Sequence, residues 1–191
     1  MKKKTLIIIA VVLLVVVIIA GTFIGQYNGL VNSETDIETA QAEIQTLLQK
    51  RADKIPNLVA TVQGYTDYES ETYKAVTEAR SAVKNAADVP SMDAADAQLD
   101  RALNVWVNAV TESYPELKAN QSFTALMDEI SSIENEIQYS RTSYNEIASK
   151  YNKKVRRFPG NIFASMYGFE EVELFSASQS AQEAPIIDFS K

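Results

Sequence analysis

Cysteine and histidine are both absent from the 191-residue chain. Without cysteine no disulfide can staple the fold, so a domain outside the cytoplasm must rest on its own core. Without either residue, ordinary zinc sites, Ser-His-Asp triads and Cys-His pairs are excluded, although carboxylates or a Ser-Lys pair could still act in catalysis. Basic residues are also scarce past the N-terminal tail. With Lys2, Lys3 and Lys4 set aside, 15 of the 18 Lys+Arg face all 25 Asp+Glu, a formal charge of about −10. An acidic body of this kind has no electrostatic footprint for nucleic acid and is repelled by anionic headgroups.

What the chain does have is a run of twenty uncharged residues, Leu6 to Gly25, directly after the three lysines. As a helix it rises roughly 30 Å, the thickness of a bilayer's hydrocarbon core. A single run can satisfy its backbone in lipid only as a helix. Three lysines precede it and no Lys or Arg follows until Lys50, so the positive-inside bias puts residues 1–5 in the cytoplasm and everything after about residue 26 outside. The rival reading is a cleaved signal peptide. The run is long for one, and Ile18-Ile19-Ala20 and Phe23-Ile24-Gly25 lack the small residue wanted two positions before a cut. Gly21-x-x-x-Gly25 matches a close-packing motif of membrane helices, which leaves a homo-oligomer open.

Beyond the anchor, about 165 residues suffice for one domain with a core. Leu30, Ile37 and Ile44 recur at a heptad step and predict a helix to about residue 52. It continues the membrane helix unless Gln26-Tyr27-Asn28-Gly29 breaks it and Thr35-x-x-Glu38 caps a fresh start. Asp53 to Pro56 reads as a turn, with a Pro-kinked continuous helix as the alternative. A second helix is expected over about 56–87 and a third after Ser91 as its cap. Tyr114-Pro115 ends or kinks that third helix, and a fourth runs to about 157. The fourth has the cleanest seam, with Phe123, Ile130, Ile137, Tyr144 and Tyr151 seven apart and Leu126, Ile133, Ser140 and Ile147 between them. The pattern predicts an all-α chain: a transmembrane anchor (6–25) after a short cytoplasmic tail (1–5), then an antiparallel up-down-up-down four-helix bundle (27–157). An apolar, aperiodic segment (158–175) should pack on the bundle or the membrane. A mobile tail (176–191) follows, whose Ile186, Ile187 and Phe189 could dock.

The inner faces hold more polar groups than packing requires: Arg51, Glu69, Arg80, Glu134 and Arg141, with Tyr144 and Tyr151 in the seam. If helices two and four descend from the same end, Glu69 and Glu134 stand at similar heights. Two paired carboxylates could hold a cation or do acid–base work, the basis of an alternative reading as an envelope hydrolase. Bundle metal sites normally add Glu-x-x-His histidines, which are absent. The favoured reading is a buried network in which Arg141, Arg80 and polar neighbours neutralise both glutamates and specify helix register. The repeated Tyr27-Asn28, Tyr144-Asn145 and Tyr151-Asn152 pairs suit core rings beside amides that bond across helices. Lys153-Lys154 and Arg156-Arg157 complement the dipole at the end of helix four.

Several of these segments resemble the bacterial LemA family. They are the anchor followed by Tyr27-Asn28-Gly29-Leu30-Val31, and Arg51-Ala52-Asp53-Lys54-Ile55-Pro56-Asn57-Leu58-Val59 with Gly64-Tyr65 and Glu69. Further along come Tyr114-Pro115-Glu116-Leu117-Lys118-Ala119-Asn120 with Phe123 and Leu126, Glu134-Asn135 with Arg141, Tyr144-Asn145, Tyr151-Asn152 and Phe158-Pro159. The likeness spans about residues 1–175. Lys54 departs from it where the family usually has leucine. The resemblance implies a membrane-anchored helical bundle and brings no catalytic residue and no cofactor. It also implies envelope proteins as partners, membrane proteases among them. The sequence thus predicts a non-enzymatic interaction or scaffold module, single-pass in a bacterial cell membrane with its bundle outside.

Overall fold

A computed structural model describes residues 2–64 and 71–176. Among these residues all regular structure is helical: α1 (Lys2–Gln63), α2 (Glu71–Asn85), α3 (Val89–Ser113), a 3₁₀ turn (Pro115–Ala119), α4 (Gln121–Arg156) and α5 (Gly160–Tyr167). Two compact units divide the chain. One takes it from its start to Thr39 together with Glu146–Val172, and the other takes Ala40–Asn145 and the chain from Glu173 onward.

The first part of α1 is long and apolar enough to cross a membrane. Its most apolar stretch has a mean hydropathy of 3.4 and none of it is buried within the protein, as suits a single-pass anchor. The helix does not break at Gln26–Gly29. Thr35, the expected cap of a fresh start, instead donates its hydroxyl to the Val31 carbonyl at 3.0 Å, as a residue inside a helix does.

Nor does α1 end near residue 52. The expected turn at 53–56 is overturned: Pro56 lies inside the helix, which continues to Gln63, so the second helix does not start at 56. The physical reason is across the interface. Proline has no N–H, so the Ala52 carbonyl four residues back loses its intrahelical donor. Ala52 is fully buried, and Arg80 of α2 supplies the missing bond, Nε donating to the Ala52 oxygen at 2.9 Å. Beside it Lys84 holds Asp53 at 2.7 Å and, by that hydrogen bond, keeps the Asp53 carboxyl below the usual carboxylate range. Arg80→Met should therefore cost about 1–3 kcal/mol in urea unfolding, the penalty of an unsatisfied buried carbonyl. In a Pro56→Ala background, where residue 56 regains its N–H, the same change should cost clearly less. Equal costs in the two backgrounds would refute the link.

Helix α3 starts earlier than expected. Asp88, not Ser91, is its N-cap: Asp88 Oδ1 accepts from Ser91 N–H at 2.8 Å, and Ser91 Oγ accepts from Asp88 N–H at 3.1 Å. This is a reciprocal capping box with Pro90 in the first turn, where its missing N–H costs nothing. Pro115 stops α3, and Asn120 caps α4 by accepting from Phe123 N–H at 2.9 Å. The seam of α4 is buried at Phe123, Ile130, Ile133, Ile137, Ser140, Tyr144 and Tyr151, while Ala148 takes the buried place expected of Ile147. In the unit from Ala40, the seam positions from Phe123 to Tyr144 share the interior with Ile44, Leu48 and Leu58 of α1, Val76 and Val83 of α2, and Met92, Leu99 and Trp106 of α3.

Past α4 the expected irregular segment contains α5, too short to show a period in sequence. Gly160 is required where α4 turns into it, because a Cβ there would sit 2.2 Å from the Lys154 carbonyl oxygen. Gly168 ends α5 at φ 78°, the left-handed region that glycine enters without cost. The two seam Tyr-Asn pairs then explain themselves, though the amides do not bond helix to helix. Asn152 donates to the Val172 carbonyl at 2.8 Å and accepts from its N–H at 2.9 Å. Asn145 does the same for Phe175, both at 2.9 Å. Ser176, expected to be mobile, is also held, with both its N–H and its hydroxyl on Asp93 Oδ2. The Pro185–Lys191 run lies outside the described residues.

Candidate functional site: a buried charge network beside a groove

The heptad that places Leu30, Ile37 and Ile44 in the core also places Arg51 there, where 4% of it is exposed. A buried guanidinium needs carboxylates, and α3 supplies them from positions beside its apolar stripe. Arg51 Nη1 donates to Asp96 Oδ1 at 2.7 Å, Nη2 donates to Asp100, and Nη1 lies 2.7 Å from Glu134 Oε2 of α4. The last contact is close in charge but not aligned as a hydrogen bond, since Glu134 Oε2 has no hydrogen-bond partner among the described residues. Gln138 fixes the other oxygen, Oε1, at 2.6 Å. Arg141, also buried, donates Nη2 to Asp96 Oδ2 at 2.9 Å and places Nη1 3.4 Å from Asp93. Asp96 therefore bridges two arginines, one on each oxygen. The Phe175 ring covers Arg141 at 5.1 Å and packs edge-on against Tyr144 at 5.2 Å.

Four carboxylates surround two guanidiniums, so the charges do not cancel. Burial works to lower the Arg51 pKa, but Asp96, Asp100 and Glu134 more than offset it and hold the pKa above its ordinary value. Asp96, with 1% of its surface exposed, goes the other way. Burial pushes it up to about 6, because its two arginines are shared with three other acids. Asp96, Asp100 and Glu134 bring carboxylate oxygens within 4.8 Å of one another, a spacing suited to a cation. The Arg51 guanidinium stands in that place.

Of the seven residues expected to form a polar network, the structure joins Arg51, Glu134 and Arg141, with the Tyr144 ring at the margin. Glu134 is neutralised by Arg51, not by Arg141 or Arg80. Arg80 serves Ala52 instead. The Tyr144 hydroxyl donates to the Glu173 carbonyl at 3.1 Å. Tyr151 is buried in the other unit, where burial, then Glu34 and Glu170, raise its pKa. Glu69 lies outside the described residues, and the register that paired it with Glu134 lapses because no helix starts at 56. Asp93, Asp96 and Asp100 are the residues that sequence reasoning missed. Their signal was present: Asp96 and Asp100 sit four apart beside Ala95 and Leu99, on the face next to the stripe.

Next to the network, α1, α3 and α4 leave a groove of about 540 Å³, open on one side. Asp100 and Glu134 stand at its charged end with Arg51. Asn104, Asn135 and Gln138 supply amides, and Leu58, Leu103, Val107, Met127 and Ile130 an apolar lining. The arrangement suits a basic group flanked by apolar surface.

A family model described as the LemA family matches residues 40–189. Protein LemA of Metamycoplasma hominis is 30% identical, over 82% of this chain and 72% of that protein. Magnetosome protein MamQ 2 of Paramagnetospirillum magneticum is 23% identical, over 87% of this chain and 70% of that protein, and Magnetosome protein MamQ of Magnetospirillum gryphiswaldense is 20% identical over the same shares. The extent of the family match and the identity to a curated member agree with the residues quoted above: the chain belongs to the LemA family.

Proposed function

We propose that this protein is a membrane-anchored interaction module of the cell envelope, not an enzyme, whose helices form an antiparallel bundle that receives a segment of a partner membrane protein. The groove carries the reading. Asp100 and Glu134 pair with Arg51 yet keep 38% and 23% of their side chains exposed, beside the groove's amides and the half-buried Val107 and Met127. Antiparallel packing of α1 with α4 is supported by Lys50–Glu136 and Lys54–Glu129, where one number rises as the other falls. For α1 with α2 and the residues just past its end, the same holds for Ala52–Arg80 and Gln41–Ala87. The three lysines before the span favour an extracytoplasmic bundle.

A photo-activated benzoylphenylalanine at Asn104, in full-length protein in its native membrane, tests this. One discrete adduct is expected, whose cross-linked peptide carries Lys or Arg beside apolar residues and lies on the outer side of the membrane. It should fade in an Asp100→Asn, Glu134→Gln variant that still melts cooperatively. The same label at Tyr139, which is 77% exposed and does not line the groove, should not produce it. Identical adducts from both positions would reject the groove as a docking site, and an adduct of twice the chain mass would make the partner a second copy.

A further inference from the structure

Helix α5 has two apolar faces, and only one is covered. Phe163 and Ala164 are buried. The Phe163 ring meets Phe23 edge-on at 4.7 Å, and Tyr167 meets Tyr27 at 4.9 Å, with Phe169 6.0 Å from Tyr27. Phe23 lies inside the apolar run and Tyr27 just past it, so α5 is held at the depth where the span ends. The other face is formed by Ile162 and Met166, four residues apart on one side of the helix, and Phe158, two residues before the helix begins, is exposed as well. They are 49%, 58% and 81% exposed. Asn161 and Ser165 lie on a separate edge.

The surroundings match a headgroup layer. Tyr27 and Tyr167 are half-exposed rings at the level where amphipathic aromatics collect. Lys154, at the end of α4, reaches Ser33 Oγ at 2.6 Å, which ties the basic stretch Lys153 to Arg157 to α1 just beyond the span. Lys153 and Arg157 are exposed there, available to anionic headgroups.

We propose that α5 is an interfacial foot: it lies in the headgroup region of the same bilayer that α1 crosses, with Phe158, Ile162 and Met166 in the acyl boundary and the basic end of α4 at the phosphates. The inference rests on reading Leu6–Gly25 as a span. Its occupant is lipid, because the face is fixed against the span itself, at the end where it leaves the hydrocarbon.

The cysteine-free chain makes the test direct. Single cysteines at Phe158, Asn161, Ile162, Ser165 and Met166, and at Val15 in the middle of the span, are spin-labelled in full-length protein in phosphatidylcholine–phosphatidylglycerol vesicles. Collision rates with oxygen and with a water-soluble nickel chelate are then compared. The oxygen-to-nickel ratio should be several-fold higher at 158, 162 and 166 than at 161 and 165. A high ratio at Val15 with water-like values at 158, 162 and 166 overturns the foot while leaving the anchor intact. A water-like Val15 overturns the anchor. Labels at 162 and 166 shielded from both reagents, with spin broadening relieved by unlabelled protein, would put a second copy on the face and also overturn the proposal.

Discussion

Replacing Arg51 with methionine should destabilise the protein by about 3–5 kcal/mol, the cost of breaking a buried ion network by removing one partner. Methionine fills much of the volume but leaves Asp96, Asp100 and Glu134 facing one another with Arg141 alone to offset them. Arg51→Lys should recover only part of the loss. Three acids from two helices contact the forked guanidinium, and a point-charge ammonium cannot reproduce that fork. The triple change Arg51→Met, Asp96→Leu, Arg141→Met should recover much of the loss, because it removes the three most buried charges together and leaves only the part-exposed Asp93, Asp100 and Glu134 without their arginines. Urea is the suitable denaturant, since it leaves ionic strength unchanged. The single, buried Trp106 on α3 reports unfolding of the helices that carry the network. A loss below about 1 kcal/mol for Arg51→Met would mean that water already screens the cluster, as it does for a surface pair.

That prediction depends on residues of unequal legibility in the sequence. Periodicity on one helix was readable: α4 spans Gln121–Arg156 against an expected end near 157, and all five of its heptad residues from Phe123 to Tyr151 are buried. Family membership was readable too, from motifs such as Arg51 to Val59. What depended on a second helix was not. Pro56 reads as a boundary because a helix alone cannot replace its missing N–H, and only Arg80, 24 residues later, makes continuity affordable. Glu134 reads as the partner of Arg141 by spacing along α4, yet the side chains it meets are Arg51 and Gln138. Asp96 was passed over because an acid next to a stripe usually faces water. The question that would have found it is which acids neutralise two arginines on core registers. Helix α5 escaped for another reason, since eight residues cannot display a period.

Asp96 also gives the network an unusual pH response. Most structural carboxylates are held below their ordinary pKa and weaken a fold when acid protonates them. Asp96 is raised, from 3.8 to about 6, with burial as the largest cause and its two arginines only partly opposing it. Between those values the folded chain holds a proton that the unfolded chain releases. Asp96 therefore contributes stability that is fully present below pH 3.8 and is lost as pH rises through about 6. A shift of about two units corresponds to ~3 kcal/mol. Asparagine at this position is uncharged at every pH and has no such loss. The stability of Asp96→Asn relative to the parent should accordingly improve by up to ~3 kcal/mol between pH 4 and pH 7 in urea unfolding followed at Trp106. The sign is the decisive part. If the arginines dominated, the parent would gain on the variant as pH rose, and the gap would move the other way. Two guanidiniums shared among four acids cannot fully compensate the one that is most buried, and that shortfall sets the direction of the pH response.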